Sequence, residues 1–260
     1  MRAISLSFDE NPQKRDLDII EDEFYKSLYT AKSYLDNITF NDYKIRDDSA
    51  NEEDPLLDHF VRLQYPDTFT SMKNVADSLY GQGKYAEAEA IYRQTLKLRE
   101  TALGKEHPDT LLSMKNVADS LYGQGKYAEA EAIYRRTLKL REKVLGKEHL
   151  GTLLIMKNVA DSLYGQGKYA KAETIHRQTL QLRETVLGKE HPDTLTSIEN
   201  VADSLYGQGK YAEAEVIYRQ TLQLREKVLG KDHPDTLLSM KNLATTLRQQ
   251  NKHTEPQAMH

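Results

Sequence analysis

The chain contains no cysteine, which excludes disulfides and thiolate metal sites and leaves thiol usage silent about redox compartment. No apolar run approaches the roughly 20 residues that span a bilayer, and the opening Met-Arg-Ala-Ile-Ser-Leu-Ser-Phe-Asp-Glu lacks the apolar core of a secretory signal. A charge bias is missing as well: 36 Lys plus Arg face 40 Asp plus Glu, a net charge of -4. No broad basic field is therefore on offer to nucleic acid or anionic lipid. No phosphate loop, dinucleotide fingerprint or Ser-His-Asp order is present. The many carboxylates lie on periodic faces, and no pair stands out as an acid–base dyad. These absences lead to the expectation of a cytoplasmic protein that is not an enzyme, takes no cofactor or metal, and has neither nucleic acid nor membrane as partner.

What the chain has is a repeat. Tyr-Gly-Gln-Gly-Lys-Tyr-Ala begins at Tyr80, Tyr122, Tyr164 and Tyr206, a period of 42 residues. His-Pro-Asp-Thr recurs at His107, His191 and His233, with His149-Leu150-Gly151-Thr152 in the remaining slot. All 13 glycines fall within this register. Four complete repeats begin at Thr68, Thr110, Thr152 and Thr194, and a fifth at Thr236 decays. In that fifth repeat Asn251 replaces the turn glycine, His253 the tyrosine, and Pro256 an alanine. A helix-interior proline costs about 3 kcal/mol or more, so residues 236–250 are expected as a lone capping helix and 251–260 as a flexible tail.

Each repeat reads as two helices. Phe69, Met72, Val75, Ala76 and Leu79 make one apolar stripe. Asp67 or Thr68 is the expected N-cap, and Gly81 and Gly83 are expected to close the helix with positive φ. A second helix over residues 84–103 carries Tyr85, Ala88, Ile91, Tyr92, Thr95, Leu96, Arg99 and Leu103 on its facing stripe. Small Ala76 and Ala88 let the pair approach closely. One pair cannot bury both its faces, so repeats must stack.

The positions Ala76, Gly83, Tyr85, Ala88, Tyr92 and Leu96 resemble the tetratricopeptide (TPR) family. The usual unit there is about 34 residues; the longer unit here is similar to the repeats of kinesin light chain. The resemblance covers residues 66–252 and implies an all-α fold, a right-handed superhelical array of antiparallel helix pairs. It also implies that the first helices line a concave groove that holds an extended peptide or partner protein, and that the array is a protein–protein interaction scaffold.

The resemblance places one row of residues in that groove: Asn74, Asn116, Asn158, Asn200 and Asn242. An asparagine amide donates and accepts together, so a row of them can pair with any peptide backbone; the other reading is an amide bonded to a neighbouring loop or helix. Lys73, Lys115, Lys157 and Lys241 flank the row, with Glu199 in the fourth repeat. Asp77, Asp119, Asp161 and Asp203 follow four residues later, and Thr245 ends that row. These rows read either as a paired, solvated face or as ligand-reading groups of alternating sign. Tyr80, Tyr122, Tyr164 and Tyr206 either offer aromatic platforms or pack on the next repeat. His107, His149, His191 and His233 lie one per loop and cannot converge within about 2.1 Å of one zinc ion, so they are expected in loop or cap roles.

The first 65 residues differ. Leu17, Ile20, Phe24, Leu28, Ala31, Leu35 and Ile38 have helical spacing, and residues 41–54 are acidic and polar. Asn41 and Tyr43 fall in register with Gly83 and Tyr85, so residues 26–67 are expected to be a degenerate capping repeat. Besides the peptide-holding scaffold, two alternatives stand: a self-assembling repeat module that forms weak homo-oligomers, since repeats one and two are nearly copies, and a regulatory or sensor fragment of a larger signalling protein.

Overall fold

The computed structural model describes residues 66–254, with side chains from 69 to 251. The helix expected near residues 16–37, nearly all of the degenerate repeat and the end of the tail lie outside them. The chain divides into two compact units, one through Val75 and one from Ala76; of the first, only residues 66–75 are described, and Phe69 and Met72 there are buried.

The described residues form helices and turns: α1 (Pro66–Gly81), α2 (Tyr85–Leu103), α3 (Pro108–Gly123), α4 (Tyr127–Leu145), α5 (Leu150–Gly165), α6 (Tyr169–Leu187), α7 (Pro192–Gly207), α8 (Tyr211–Leu229) and α9 (Pro234–Thr254). From α2 onward each helix packs on the next, and the short turns between them make neighbours antiparallel. The result is an all-α array of stacked hairpins.

Local chemistry sets the helix starts. His107, His149 and His191 are the N-caps of α3, α5 and α7. Each accepts at Nδ1 a backbone N–H of the first turn, from Asp109 at 3.2 Å, Gly151 at 3.0 Å and Asp193 at 3.1 Å. His233 accepts the Asp235 N–H likewise at 3.1 Å. The imidazole thereby satisfies one of the four N–H groups that a helix start leaves unpaired. The capping expected of Asp67 or Thr68 is corrected: both lie inside α1, as Asp109 and Thr110 lie inside α3. Pro108 and Pro192 hold the first helical position, where the missing N–H costs nothing.

The glycine pairs divide their work. Gly125 has φ +75°; its N–H bonds to Tyr122 O and that of Lys126 to Leu121 O, both at 2.9 Å, a Schellman closure. The first glycine is different from expectation. Gly81 is not among the positive-φ glycines and ends α1 as a helical residue. In later repeats its counterpart receives a ring from the previous repeat: a Cβ on Gly123 would stand 2.7 Å from Tyr85, and one on Gly207 2.5 Å from Tyr169. The glutamine between the two glycines completes the joint, since Gln124 Nε2 donates to Glu89 Oε2 at 2.7 Å and Gln166 to Glu131 at 2.8 Å.

Alanines mark the helix crossings. Ala76, Ala88, Ala118, Ala130, Ala160, Ala172, Ala202 and Ala214 are all fully buried. The cores form two clusters, one over repeats one to three and one at repeat four and α9. Buried arginines tie each second helix to the repeat that follows. Arg183 Nη1 donates to Asp193 O and to Ser197 Oγ, both at 2.9 Å, and Arg225 repeats this with Asp235 and Ser239 at 2.8 Å. In repeat three Ile155 stands where the others have serine, and among the described residues Arg141 Nη1 bonds only to Gly151 O.

α9 has no second helix laid over it among the described residues. Leu237 is 51% exposed, whereas the equivalent Leu111, Leu153 and Leu195 are at most 1% exposed. The helix runs past Gln250 to Thr254, shortly before Pro256.

Candidate functional site

The first helices of repeats one to three carry Lys, Asn, Asp and Tyr in one order, in repeat two as Lys115, Asn116, Asp119 and Tyr122. Positions zero, four and seven fall on one helical face, with asparagine beside it. Lys115 Nζ lies 2.5 Å from Asp119 Oδ2, and Lys157 lies the same distance from Asp161. Neither lysine nor carboxylate is freely solvated, each being about a quarter exposed or less. The other Asp119 oxygen, Oδ1, accepts the Tyr134 hydroxyl; Tyr92 donates in the same way to Asp77, and Tyr218 to Asp203 at 2.5 Å. In repeat two the aspartate therefore faces its own second helix through one oxygen and its own first helix through the other. Burial and the adjacent carboxylate push the Tyr134 and Tyr218 hydroxyls well above the usual phenol range.

Repeat three departs from this. His176 occupies the tyrosine position, is buried, and its Nε2 lies 3.7 Å from Asp161 Oδ1, beyond hydrogen-bond distance. Burial lowers its pKa to about 4, against the pull of Asp161 and with help from Lys157 and Arg183.

Repeat four departs further. Glu199 holds the lysine position but turns away to Arg225, with Oε2 2.5 Å from Nη1 and both side chains almost wholly buried. Its other oxygen accepts Ser239 Oγ at 3.1 Å and Asn242 Nδ2 at 3.2 Å. Asp203 thus has no lysine at Oδ2. Burial raises its pKa to about 6, with Glu199 and Asp161 adding to the rise and Tyr218 and Arg225 opposing it.

The asparagine row divides similarly. Among the described residues no hydrogen bond reaches the part-exposed side-chain amides of Asn116 and Asn158; only their carbonyls are used, by Ser120 and Ser162. Asn200 Nδ2 is buried without a partner. The Asn242 amide donates to Glu199. Asn74 is exposed and Lys73 half-buried on the part of α1 that belongs to the first compact unit.

The first-helix tyrosines pack on the second helix of their own repeat. Tyr80, Tyr122, Tyr164 and Tyr206 meet Tyr85, Tyr127, Tyr169 and Tyr211 edge-on, with centroids 5.0–5.2 Å apart. The aspartates of the next repeat act on them electrostatically: Asp119 on Tyr80, Asp161 on Tyr122 and Asp203 on Tyr164, each adding to the rise that burial gives the phenol. Sequence reasoning missed the tyrosine–aspartate bond, though a signal was present: the two residues keep a spacing of 15, and histidine replaces tyrosine once. It also missed the arginine clamp and the Gln–Glu joint, which connect different repeats and leave no local pattern. Among the described residues no group of three or more His, Asp or Glu could hold a metal ion, and no helix is long and apolar enough to cross a membrane.

A stack of helix pairs with buried alanines at each crossing and glycine-closed turns defines a helical-repeat solenoid. The profile of the tetratricopeptide repeat matches residues 67–143, 116–185, 151–227 and 193–255. The chain belongs to that family, in general one of non-enzymatic protein–protein interaction scaffolds. Among solved structures, it is similar to a Podosopora anserina kinesin light chain-type protein with nearly identical TPR-like repeats, at 24% identity and TM-score 0.64, over 75% of this chain and 92% of that one. BtubC (BKLC) from P. vanneervenii shares 18% identity at TM-score 0.64, over 96% and 88%. A Rap protein complexed with Competence and Sporulation Factor shares 14% at TM-score 0.60, over 93% and 74%. No curated protein sequence matches the chain.

Proposed function

We propose that the chain is a scaffold that holds an extended peptide, or an extended segment of a partner protein, along the first-helix face of its repeats. The observation that carries this reading is the state of Asn116 and Asn158. Two part-exposed amides at equivalent positions of successive repeats have no hydrogen bond among the described residues. Each can give one donor and one acceptor to a backbone, and the flanking Lys–Asp pairs supply a polar rim of balanced charge. Burying such amides without partners would cost about 1–3 kcal/mol each; leaving them reachable by a ligand avoids that cost. The test is affinity capture with the intact protein and with Asn116→Ala plus Asn158→Ala. The double variant loses its bound partners and keeps its helical circular dichroism; partners retained at full yield would remove this face from the function.

A second reading, association of copies through α9, is favoured by the exposure of Leu237 and Leu238. Every other leucine at the Leu237 position in α3, α5 and α7 is covered, so a second copy laid on α9 would extend the repeat interface. Mass measured at two concentrations separates the readings: a rise with concentration that Leu237→Ser abolishes supports association.

A further inference from the structure

We propose that the fourth repeat selects a basic side chain, lysine or arginine, of the held polypeptide at the open Oδ2 of Asp203. This rests on the first-helix face being the holding surface and adds what that surface discriminates.

The array supplies its own control. In repeats two and three the aspartate Oδ2 is filled by the lysine one turn earlier, at 2.5 Å. In repeat four that lysine is Glu199, and Glu199 is held by Arg225, Ser239 and Asn242. Asp203 keeps its tyrosine bond at Oδ1 and has no ion pair among the described residues. The position of an ammonium is thus occupied twice along the row and open once.

The surrounding charges leave that carboxylate uncompensated. On its own helix α7 the nearest charged group is Glu199, and α5 contributes Asp161, both of which oppose its ionisation. The cations are engaged elsewhere: Arg225 of α8 with Glu199, and Arg183 of α6 with Asp193 O and Ser197. His176 of α6 lies against Asp161 and is held neutral by burial. Tyr164 at the end of α5 senses the Asp203 carboxylate. A part-exposed carboxylate with no cation of its own suits an incoming ammonium or guanidinium, which gains an ion pair there. The carboxylate must be ionised to do so, so binding of a basic ligand strengthens as pH rises through about 6.

A random linear peptide library selected against the full chain tests this. Expected is a shared Lys or Arg at one position of the selected peptides. Its replacement by norleucine weakens binding about tenfold, as for a partly desolvated ion pair. Asp203→Asn, which preserves an acceptor for Tyr218, causes the same loss, and the two changes together cost no more than either alone. Glu199→Lys, filling the carboxylate as in repeats two and three, removes the basic preference from a fresh selection; should it not fold, Asp203→Asn carries the test. Peptides that depend on Asn116 and Asn158 but show no basic residue, or whose basic preference survives Asp203→Asn, overturn this assignment and leave the scaffold reading standing. Peptides indifferent to Asn116→Ala with Asn158→Ala overturn both.

Discussion

The ring of Tyr127 rests on Gly165, so closely that a Cβ on the glycine would stand 2.7 Å from the ring. Tyr127 opens the second helix of one repeat and Gly165 ends the first helix of the next. The glycine is helical, so conformational freedom is not its reason; close approach between repeats is.

Gly165→Ala therefore destabilises the array by about 1–3 kcal/mol, the usual cost of overpacking. Gly81→Ala is the control. It sits at the same helical position, and among the described residues nothing lies within 4 Å of its Cβ, so the substitution is neutral or gains up to about 1 kcal/mol from helix propensity. Urea unfolding of the two variants distinguishes these outcomes; equal effects would show that the ring contact contributes nothing.

The period, the helix pairs and the alanine crossings were all legible in the sequence, because each is a local pattern repeated at fixed spacing. The site was legible only in outline. Lys115 and Asp119 pair as their i,i+4 spacing requires, but Glu199 at the same position is buried against Arg225 from another helix. Nothing local distinguishes Glu199 from an exposed acid. The N-cap was misplaced for a similar reason. Asp67 and Thr68 are better capping residues than histidine by type, yet Pro108 sets the helix start one residue after His107.

The charged row predicts contrasting losses. Glu199→Ala leaves Arg225 buried without its carboxylate and costs about 3–5 kcal/mol. Lys157→Ala, at the equivalent position but part-exposed, costs less than about 1 kcal/mol. Thermal unfolding of both variants checks this, and similar losses would contradict the buried pairing of Glu199.

His176 makes stability depend on pH. Its pKa is about 4 in the folded chain and roughly 6.5 when unfolded, so between these values the unfolded chain binds more protons. Its contribution is fully present above about 6.5 and is lost as pH falls toward 4. His176→Tyr restores the tyrosine–aspartate bond of the other repeats. The variant gains about 1 kcal/mol at neutral pH and loses the part of the pH slope due to this residue. Denaturant midpoints taken from neutral to acid pH measure both effects; an unchanged slope would remove His176 as its source.

The central claim is that the unpaired amides of Asn116 and Asn158 grip a partner's backbone. Its most direct test is NMR observation of these two side-chain amide groups, assigned through the Asn116→Ala and Asn158→Ala variants, while a selected peptide is added. The account predicts saturable shifts of both amides with slowed exchange of their protons. Shifts confined to the second helices α4 and α6, with both amides unmoved at saturation, would contradict it.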